Sequence, residues 1–590
     1  MDTKNVIAAI SLSAAVIILY SLFWAPPPPD PKLVQTEKSK VTQNDSTEAP
    51  SLEQNEETIK ISREEALKES KRILFENENI KGSISLTGSK IDDLEFKKFK
   101  QILDGEDNVI LLNPSKVKNG YYVETGWATT NKNIDIPNSR SAWEIEGNNK
   151  LTPNTPIKLV WLNNQNIKFE KEISIDNQYL FTVKQTIINN SDKTYNFYPY
   201  GQIIRNEIPE ITNFFILHEG PLGVFNSELV EKDYDDIQDK PHSITADKGW
   251  LGITDKYWLA AVVPDQNVSV NASFSYQETS SGADLYQTDI LEKNVHTVMP
   301  GASVEVTNRL FAGAKVFDTL TEYRDEQNVP RLEMAIDFGW FFFITKPLLQ
   351  VLIVIAEQLE NIGIKANFGV AILVVTVILK IFFFPLANKS YKSMSKMKAL
   401  QPKMTELREK YGDDKRKMQQ ELMGMYKREK VNPVSGCLPM VLQIPVFFAL
   451  YKVLFTSIEM RQSPFYGWVH DLSERDPTNI FQLFGLIPWD VPSFLAAGTS
   501  FIALGLWPLF MGISMFLQQK LNPAPADPIQ ARMFMLMPIM FMFFLANFPV
   551  GLVIYWTWNN LLSVAQQYVI MRRMGVSIGG GTINKGTKTT

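Results

Sequence analysis

The stretch VILKIFFFPL, Val377 to Leu386, places a lysine inside an apolar segment of the chain. Apolar residues precede Lys380 from Val370 onward, interrupted only by Thr376, and an Ile-Phe-Phe-Phe run follows it. A charge at the centre of a helix in lipid costs roughly 2.5–3.5 kcal/mol on insertion scales. Lys380 therefore either extends to the headgroups at the nearer end of its helix or faces a water-filled cavity inside a helix bundle. The local residues leave both interpretations open.

Comparable apolar segments recur along the chain, and they predict a polytopic α-helical membrane protein with six spans. The predicted spans are Val6–Trp24, Asn367–Leu386, Val434–Thr456, Phe494–Leu517, Met533–Phe548 and Pro549–Ile570. The first apolar run is longer than that of a signal peptide, and no A-x-A site follows it, which favours a retained anchor over residues 1–25. The proline-rich, polar residues 26–57 have the composition of a disordered linker.

Residues 58–329 have the pattern of a β-domain. Apolar and polar side chains alternate strictly in VSVNASFSY, Val268 to Tyr276, which is the period of a half-buried strand. The stretches QYLFTVKQTIINN and ASVEVTNRLFAG read similarly, with turn residues between such segments. The sequence predicts a large, mainly antiparallel all-β sandwich of two packed sheets.

Residues 330–364 predict an amphipathic helix that lies in the membrane interface, because Trp340 and the Phe341–Phe343 cluster suit headgroup depth. The alternative is a plain span over Leu348–Leu359, which is short for a span and carries a glutamate. The five later spans and their loops form a predicted core over residues 365–572, followed by a basic tail over residues 573–590.

The orientation is predicted from the charge of the loops. Residues 386–433 contain 13 Lys and Arg against 6 Asp and Glu, whereas the loop from 457 to 492 is acidic on balance. The positive-inside rule then places the basic loop and both termini in the cytoplasm. With six spans, the β-domain lies outside the cytoplasm.

The basic loop, residues 387–433, is predicted to be a cytoplasmic helical hairpin. Its apolar residues recur at heptad and helical spacing on either side of Gly412-Asp413-Asp414. Methionine repacks easily, so we predict that the hairpin offers an adaptable contact surface. The predicted contact residues are Met397, Met404, Met418 and Met425. The alternative is a solvated basic hairpin that only sets the topology.

The predicted spans contain no His, Asp or Glu, which disfavours intramembrane proteolysis and proton-coupled transport. The 590-residue chain has one cysteine, a net charge of −5, and no nucleotide-binding or HExxH motif. These features predict a protein that is not an enzyme, needs no cofactor or metal, and does not bind nucleic acid directly. The spans do carry other polar groups, among them Thr376, Gln443, Tyr555, Asn559 and Asn560.

Four stretches of the second half of the chain resemble the YidC/Oxa/Alb family of membrane protein insertases, in unbroken order between Arg331 and Arg572. They are KSMSKMKALQPKM, LREKYGDDKRKMQQELMGMYKREKVNPVSGCLPMVLQIPVFFALYKVL, EMRQSPFYGWVHDLS and FPVGLVIYWTWNNLLSVAQQYVI. The anchor and β-domain ahead of them are similar to the Gram-negative form, whose outer domain resembles a sugar-mutarotase supersandwich.

The resemblance implies a bacterial inner-membrane insertase and chaperone for nascent membrane proteins, acting alone or with the Sec translocon, with the ribosome as a further partner. It implies a hydrophilic groove between the spans, open to the cytoplasm and the lipid. Lys380 occupies the position at which the family usually has arginine. Thr376, Gln443, Tyr555 and Trp556 fall on positions in or beside that groove.

Two other functions remain open at this point. The intramembrane lysine would also suit a solute channel or carrier, and the β-domain would suit an anchored sugar-binding or sugar-modifying protein. Neither function explains the helical hairpin.

Overall fold

A computed structural model describes residues 61–209, 217–279, 282–411, 414–429, 431, 438–487, 504–522 and 528–576. The predicted anchor, the predicted linker, residues 494–503 of the predicted fourth span and residues 577–590 of the basic tail lie outside these ranges.

The β-domain consists of two sheets, as the alternating sequence predicts. Its strands β1 to β20, in chain order, are Arg72–Glu76, Ile80–Ser85, Ile91–Lys100, Asn108–Leu112, Tyr121–Ala128, Glu144–Glu146, Lys150–Leu151, Ile157–Leu162, Ile167–Ile175, Leu180–Asn189, Tyr195–Asn206, Gly220–Phe225, Glu228–Glu231, His242–Ala246, Gly249–Thr254, Trp258–Val263, Val270–Glu278, Asp284–Glu292, His296–Val298 and Ser303–Ala314.

One sheet has 11 strands and contains the path β14-β17-β18-β11-β5-β3-β2-β1-β7, with β19 on β11 and β4 on β3. The other has nine strands in the order β13-β12-β15-β16-β20-β10-β9-β8-β6. Neighbouring strands in the described part of the chain pair antiparallel, apart from β1 with β7. The alternation predicted for β17 is confirmed, since Val270, Ala272 and Phe274 are buried while Asn271 is exposed.

The helices α1 to α12, in chain order, are Arg63–Lys68, Tyr234–Asp239, Phe317–Glu326, Phe342–Asn361, Asn367–Phe382, Phe384–Ala399, Gln401–Tyr411, Lys415–Arg428, Leu438–Thr456, Leu506–Leu521, Pro528–Leu545 and Val550–Arg573. Helix α4 packs against α5 and α9. Helix α12 packs against α5, α6 and α10, while α10 also packs against α11.

The predicted span Asn367–Leu386 does not continue to Leu386. Helix α5 ends at Phe382, and α6 leaves it at an angle of 71°. Pro385 stands in the first turn of α6, where the missing amide hydrogen costs nothing, but it cannot continue the hydrogen-bond ladder of α5. The chain therefore changes direction at Phe383, shortly after Lys380, and α6 leads into the helical hairpin.

Helix α4 differs from the prediction in its length. It has 20 residues and includes Pro347, so the argument that this segment is too short to span is wrong. Among the described helices, α4 alone meets the length and apolarity of a span, and the bent pair α5 and α6 meets them when it is counted as one span. The interfacial placement of residues 330–364 and the count of six spans stay predictions. The exposed Trp340 and Phe342 before and at the start of α4 suit an interface.

Polar contacts connect the β-domain to the helical core. The Lys452 ammonium on α9 lies 2.7 Å from a carboxylate oxygen of Asp337, in the segment that joins the β-domain to α4. The Phe317 amide at the start of α3 donates to Glu459 at 2.8 Å, and the Arg461 guanidinium donates to the Lys100 carbonyl. Burial raises the pKa of Glu459 to about 7. The carboxyl end of α9 is therefore the attachment point of the β-domain.

Candidate functional site

Polar side chains from four helices converge on one cavity in the helical core. Lys380 comes from α5, Tyr391 from α6, Gln443 from α9 and Asn559 from α12. The cavity has a volume of about 60 Å³. We call it the Lys380 cavity; it is lined by Thr376, Leu379, Lys380, Phe383, Leu386, Ala387, Tyr391, Gln443, Val446, Tyr555 and Asn559.

Lys380 is held by a hydroxyl rather than by a carboxylate. Its ammonium donates to Ser563 Oγ at 2.6 Å, and Ser563 Oγ donates to the Asn559 carbonyl at 2.8 Å. The four helices that line the cavity contain no Asp or Glu. An ammonium has three N–H donors, so one neutral acceptor leaves hydrogen-bonding capacity at this site. The cavity therefore presents a positive charge that no residue on its walls neutralises.

The cavity walls combine satisfied and unsatisfied polar groups. Thr376 is buried, and its hydroxyl donates to the Ile372 carbonyl of its own helix at 2.6 Å. The Tyr555 phenol interacts with the Gln443 side chain across the cavity. Asn559 Nδ2 is buried and has no hydrogen-bond partner among the described residues. Since a buried amide without a partner is costly, water or a polar segment of a client is the expected occupant.

Four of the five predicted groove residues line the cavity: Lys380, Thr376, Gln443 and Tyr555. Trp556 does not. Its ring packs against Phe447, with centroids 4.7 Å apart, and against Phe541 at 5.8 Å. Consecutive residues of a helix point in directions about 100° apart, so Tyr555 and Trp556 cannot both face the same small cavity. Contact of these residues with a client stays a prediction.

Ser563 and Tyr391 were not predicted as site residues, and Asn559 was predicted only as a polar group of a span. A signal was present in α12, where Tyr555, Asn559 and Ser563 follow one another at intervals of four residues. This spacing places polar side chains on one face of an otherwise apolar helix. Tyr391 carried no comparable signal, because the bend at Phe383 brings it back toward the cavity.

The predicted contact methionines lie in the interior of the helical hairpin. Met404 of α7 and Met425 of α8 are buried together with Leu400 and Leu422. Met397 and Met418 are partly buried and pack against the same cluster. The heptad spacing predicted a seam correctly, but the seam joins the two halves of the hairpin to each other. The outer face of α8 carries a half-exposed methionine, Met423, beside Arg416 and Lys427.

Comparisons with known proteins agree with this arrangement. Residues 360–576 match the family model of the 60Kd inner membrane protein, and residues 72–351 match that of the YidC periplasmic domain. A membrane protein insertase YidC of Pelagibacter ubique is 52% identical over 98% of this chain and 100% of its own length. Those of Brucella suis and Rickettsia conorii are each 44% identical, over 98% and 96% of this chain and 97% and 98% of their own lengths.

Among solved structures, a galactose mutarotase-like protein from Lactobacillus casei aligns with 41% of this chain and 100% of its own, at 8% identity and a TM-score of 0.30. A putative aldose 1-epimerase from Escherichia coli aligns with 41% of this chain and 99% of its own, at 8% identity and a TM-score of 0.27. At such low TM-scores the likeness supports no statement about fold or activity.

A multi-pass helical core joined to a large β-sandwich, with a polar cavity among its helices, defines a class of inner-membrane protein rather than a soluble enzyme. The chain belongs to the YidC family of membrane protein insertases. The predicted insertase function is confirmed, and its substrates are nascent membrane proteins.

Proposed function

We propose that the Lys380 cavity receives the hydrophilic part of a nascent membrane protein while the apolar part enters the bilayer. The observation that carries this proposal is the unneutralised ammonium of Lys380, which lines the cavity and donates to the Ser563 hydroxyl behind it. A charge in this position is costly in lipid, and it is tolerated where it faces water or a polar partner. No bond is made or broken, and no nucleotide is needed.

The driving force in this proposal is partitioning of the client. Each methylene of the client that leaves water for lipid contributes about 0.8 kcal/mol. The cavity lowers the cost of moving polar groups part of the way across, because its ammonium and amide replace water. The membrane potential assists the outward movement of acidic segments.

We further propose six spans, cytoplasmic termini and a β-domain outside the cytoplasm. Helix α9 supports this orientation: Glu459 and Arg461, just after its carboxyl end, contact the β-domain, while its amino end follows the basic hairpin in sequence. The two soluble parts thus attach to opposite ends of one apolar helix. The Sec translocon and the ribosome are proposed partners, which the hairpin would reach from the cytoplasmic side.

Sidedness is tested by labelling with a membrane-impermeant maleimide in a Cys437→Ser background. Cysteine at the exposed Asn294 of the β-domain is expected to react from outside intact spheroplasts. Cysteine at the exposed Lys417 of the hairpin is expected to react only after the membrane is opened. Labelling of position 417 in sealed spheroplasts would contradict the orientation.

The cavity itself is tested by photocrosslinking. A photoreactive residue at Phe383 or Val446, both of which line the cavity, is expected to crosslink to the hydrophilic segment of a stalled nascent chain. Ile381 on the exposed side of α5 is the matched control, and it is expected to crosslink to the apolar segment or to lipid. Equal crosslinking of the hydrophilic segment from all three positions would contradict the proposal.

A further inference from the structure

Ser563 is buried at the point where three helices meet beside the Lys380 cavity. It is 1% exposed, accepts a hydrogen bond from Lys380 Nζ and donates its own proton to the Asn559 carbonyl one turn earlier. A hydroxyl has one donor and two acceptor positions. Because its proton is directed at Asn559, the lone pairs of Ser563 Oγ are directed away from that carbonyl and toward the ammonium.

The base of the helical hairpin packs beside the same cavity. Tyr391 on α6 lines the cavity together with Lys380. Tyr391 is itself buried, in a cluster with Met394 of α6 and Ile570 of α12. The serine therefore joins the helix that carries the charge to α12, and α12 packs against the helix that continues into the hairpin.

A lysine needs such a partner more than an arginine would. Lysine carries a compact charge on a flexible four-carbon stem, and holding it in one rotamer costs conformational entropy. The cavity walls provide no carboxylate to hold it. Ser563 is the hydrogen-bond acceptor that contacts the Lys380 ammonium among the described residues.

We infer that Ser563 is a positioning residue of the insertase, which holds the Lys380 ammonium at the cavity wall so that it meets carboxylates in the hydrophilic segment of a client. This inference rests on the proposed function of the Lys380 cavity. It predicts that loss of the hydroxyl weakens the response to client charge and leaves insertion of uncharged clients intact.

The test measures insertion of two clients into vesicles that contain the full-length protein. One client carries aspartates in its leading segment, and its twin carries asparagines at the same positions. Ser563→Ala is expected to slow the acidic client by about fivefold, because a hydrogen bond to a charged group is lost while the charge remains. The asparagine twin is expected to insert at the wild-type rate.

Two further substitutions separate the hydrogen bond from packing. Ser563→Thr keeps the hydroxyl and is expected to restore insertion of the acidic client. Ser563→Cys keeps nearly the same shape, but its sulfur is a weak acceptor, so it is expected to show part of the alanine defect. The cysteine variant also tests the inference if the alanine variant fails to accumulate.

Ser514 provides a matched control on α10. It is 2% exposed, donates to the Met511 carbonyl at 2.7 Å and accepts from Asn560 at 3.0 Å, whereas Lys380 donates to Ser563. Ser514→Ala removes a comparable buried hydroxyl and is expected to leave the ratio of the two insertion rates unchanged. An equal slowing of both clients by Ser563→Ala would assign the serine to packing alone and overturn the inference.

A double substitution completes the test. In a Lys380→Gln background, Ser563→Ala is expected to have no further effect on the ratio, because the ammonium that it positions is gone. A further change there would overturn the inference. If Lys380→Gln lowers the ratio and Ser563→Ala does not, the positioning role fails and the cavity proposal stands. If Lys380→Gln leaves the ratio unchanged, both fail.

Discussion

The β-domain and the helical core both bury lysines, but they surround them differently. In the β-domain, Lys90 lies 3.0 Å from the Glu124 carboxylate. Lys171 donates to Ser89 Oγ and the Thr125 carbonyl, and Lys315 donates to Thr254 Oγ1 at 3.0 Å and the Ala335 carbonyl at 3.1 Å. Lys380 in the helical core donates to one neutral hydroxyl, that of Ser563, and it lines the cavity.

The difference separates two uses of a buried charge. A buried cation whose donors are matched by acceptors contributes to a defined packing arrangement. Burial lowers the pKa of Lys171 to about 7 and that of Lys315 to about 8, and nearby carboxylates oppose the shift. When a buried cation has donors without acceptors, the protein does not compensate its desolvation cost. Such a cation can instead attract a negatively charged group that enters the cavity. We therefore expect Lys171 to contribute to stability, and Lys380 remains the proposed functional cation of the cavity.

The largest expected effect is that of Lys380→Leu, which removes the charge and dries the cavity. Insertion of a short client into vesicles is expected to fall by about tenfold or more, whereas the melting temperature in detergent rises because a poorly compensated charge is gone. Lys380→Arg is expected to keep activity, since arginine is always charged and similarly long. Lys380→Glu is expected to fail with acidic clients through repulsion.

The matched variant in the β-domain is Lys171→Met. It leaves Ser89 and the Thr125 carbonyl without their donor, which is expected to destabilise the β-domain by about 1–3 kcal/mol while insertion is unchanged. Thermal unfolding and the same vesicle assay measure both effects. Equal insertion by wild type and the leucine variant at position 380 would remove the distinction between the two lysines.

The next largest effect is expected in the helical hairpin. Met404→Asp together with Met425→Asp places two carboxylates in the buried seam, where an unpaired charge is costly, so α7 and α8 are expected to separate and insertion to fall several-fold. Met423→Asp on the outer face of α8 is the control and is expected to keep the hairpin folded. Limited proteolysis reports the fold, and the vesicle assay reports function.

The two hairpin variants distinguish a scaffold from a contact surface. A defect in the seam variant alone indicates that the hairpin must be folded. A defect in Met423→Asp with an intact hairpin indicates that clients or partners bind its outer face. Normal insertion by both variants would reduce the hairpin to a topology signal.

A smaller effect is expected from deletion of residues 62–316, which removes most of the β-domain. Helix α3 remains, so Phe317 still provides a backbone donor for Glu459, and the contacts of the Lys380 cavity are untouched. Insertion at matched protein levels is expected to be close to that of the full chain. Deletion of residues 62–326 is the control; it removes α3, leaves Glu459 without that donor and is expected to accumulate poorly.

The smallest expected effect is on the pH dependence of stability where the β-domain attaches to the carboxyl end of α9. Because burial raises the pKa of Glu459 to about 7, folding favours the protonated carboxyl. The folded state loses stability as the pH rises from the ordinary glutamate range toward 7, and the loss is complete above that value. Glu459→Gln, which resembles the protonated acid, is therefore expected to raise the melting temperature at pH 8 and not at pH 5.

The control for that measurement is Glu305→Gln, which changes an exposed carboxylate of β20 and is expected to leave the pH profile of unfolding as in wild type. A Glu459→Gln variant that parallels wild type across the whole pH range would show that the junction does not sense protonation of this residue.

Several parts of the structure were predictable because they depend on local pattern. The two-residue alternation of β17 predicts which of its side chains are buried. The heptad spacing of the hairpin does the same for its helices. Pro385 also carried such a signal, but the predicted span Asn367–Leu386 ignored its missing amide, and α5 ends at Phe382. Period and backbone chemistry act within a few residues, so they can be read without the rest of the fold.

Which side chain a given residue contacts depends on distant parts of the chain. Lys380 and Ser563 are 183 positions apart, and the residues between them include the hairpin and three further described helices. The heptad spacing predicts a methionine seam. It does not determine whether the seam faces a client or the other half of the hairpin.

By itself the sequence determined the β-domain, the apolar helices, the charge in the fifth helix and the membership of the insertase family. Tertiary structure decided that Lys380 lines a cavity, that Ser563 rather than a carboxylate holds it, that Trp556 faces away and that the hairpin methionines pack on one another. The physical reason is that hydrophobic periodicity orients a side chain relative to its own helix axis. Which neighbour it meets depends on how the helices rotate and cross when they pack.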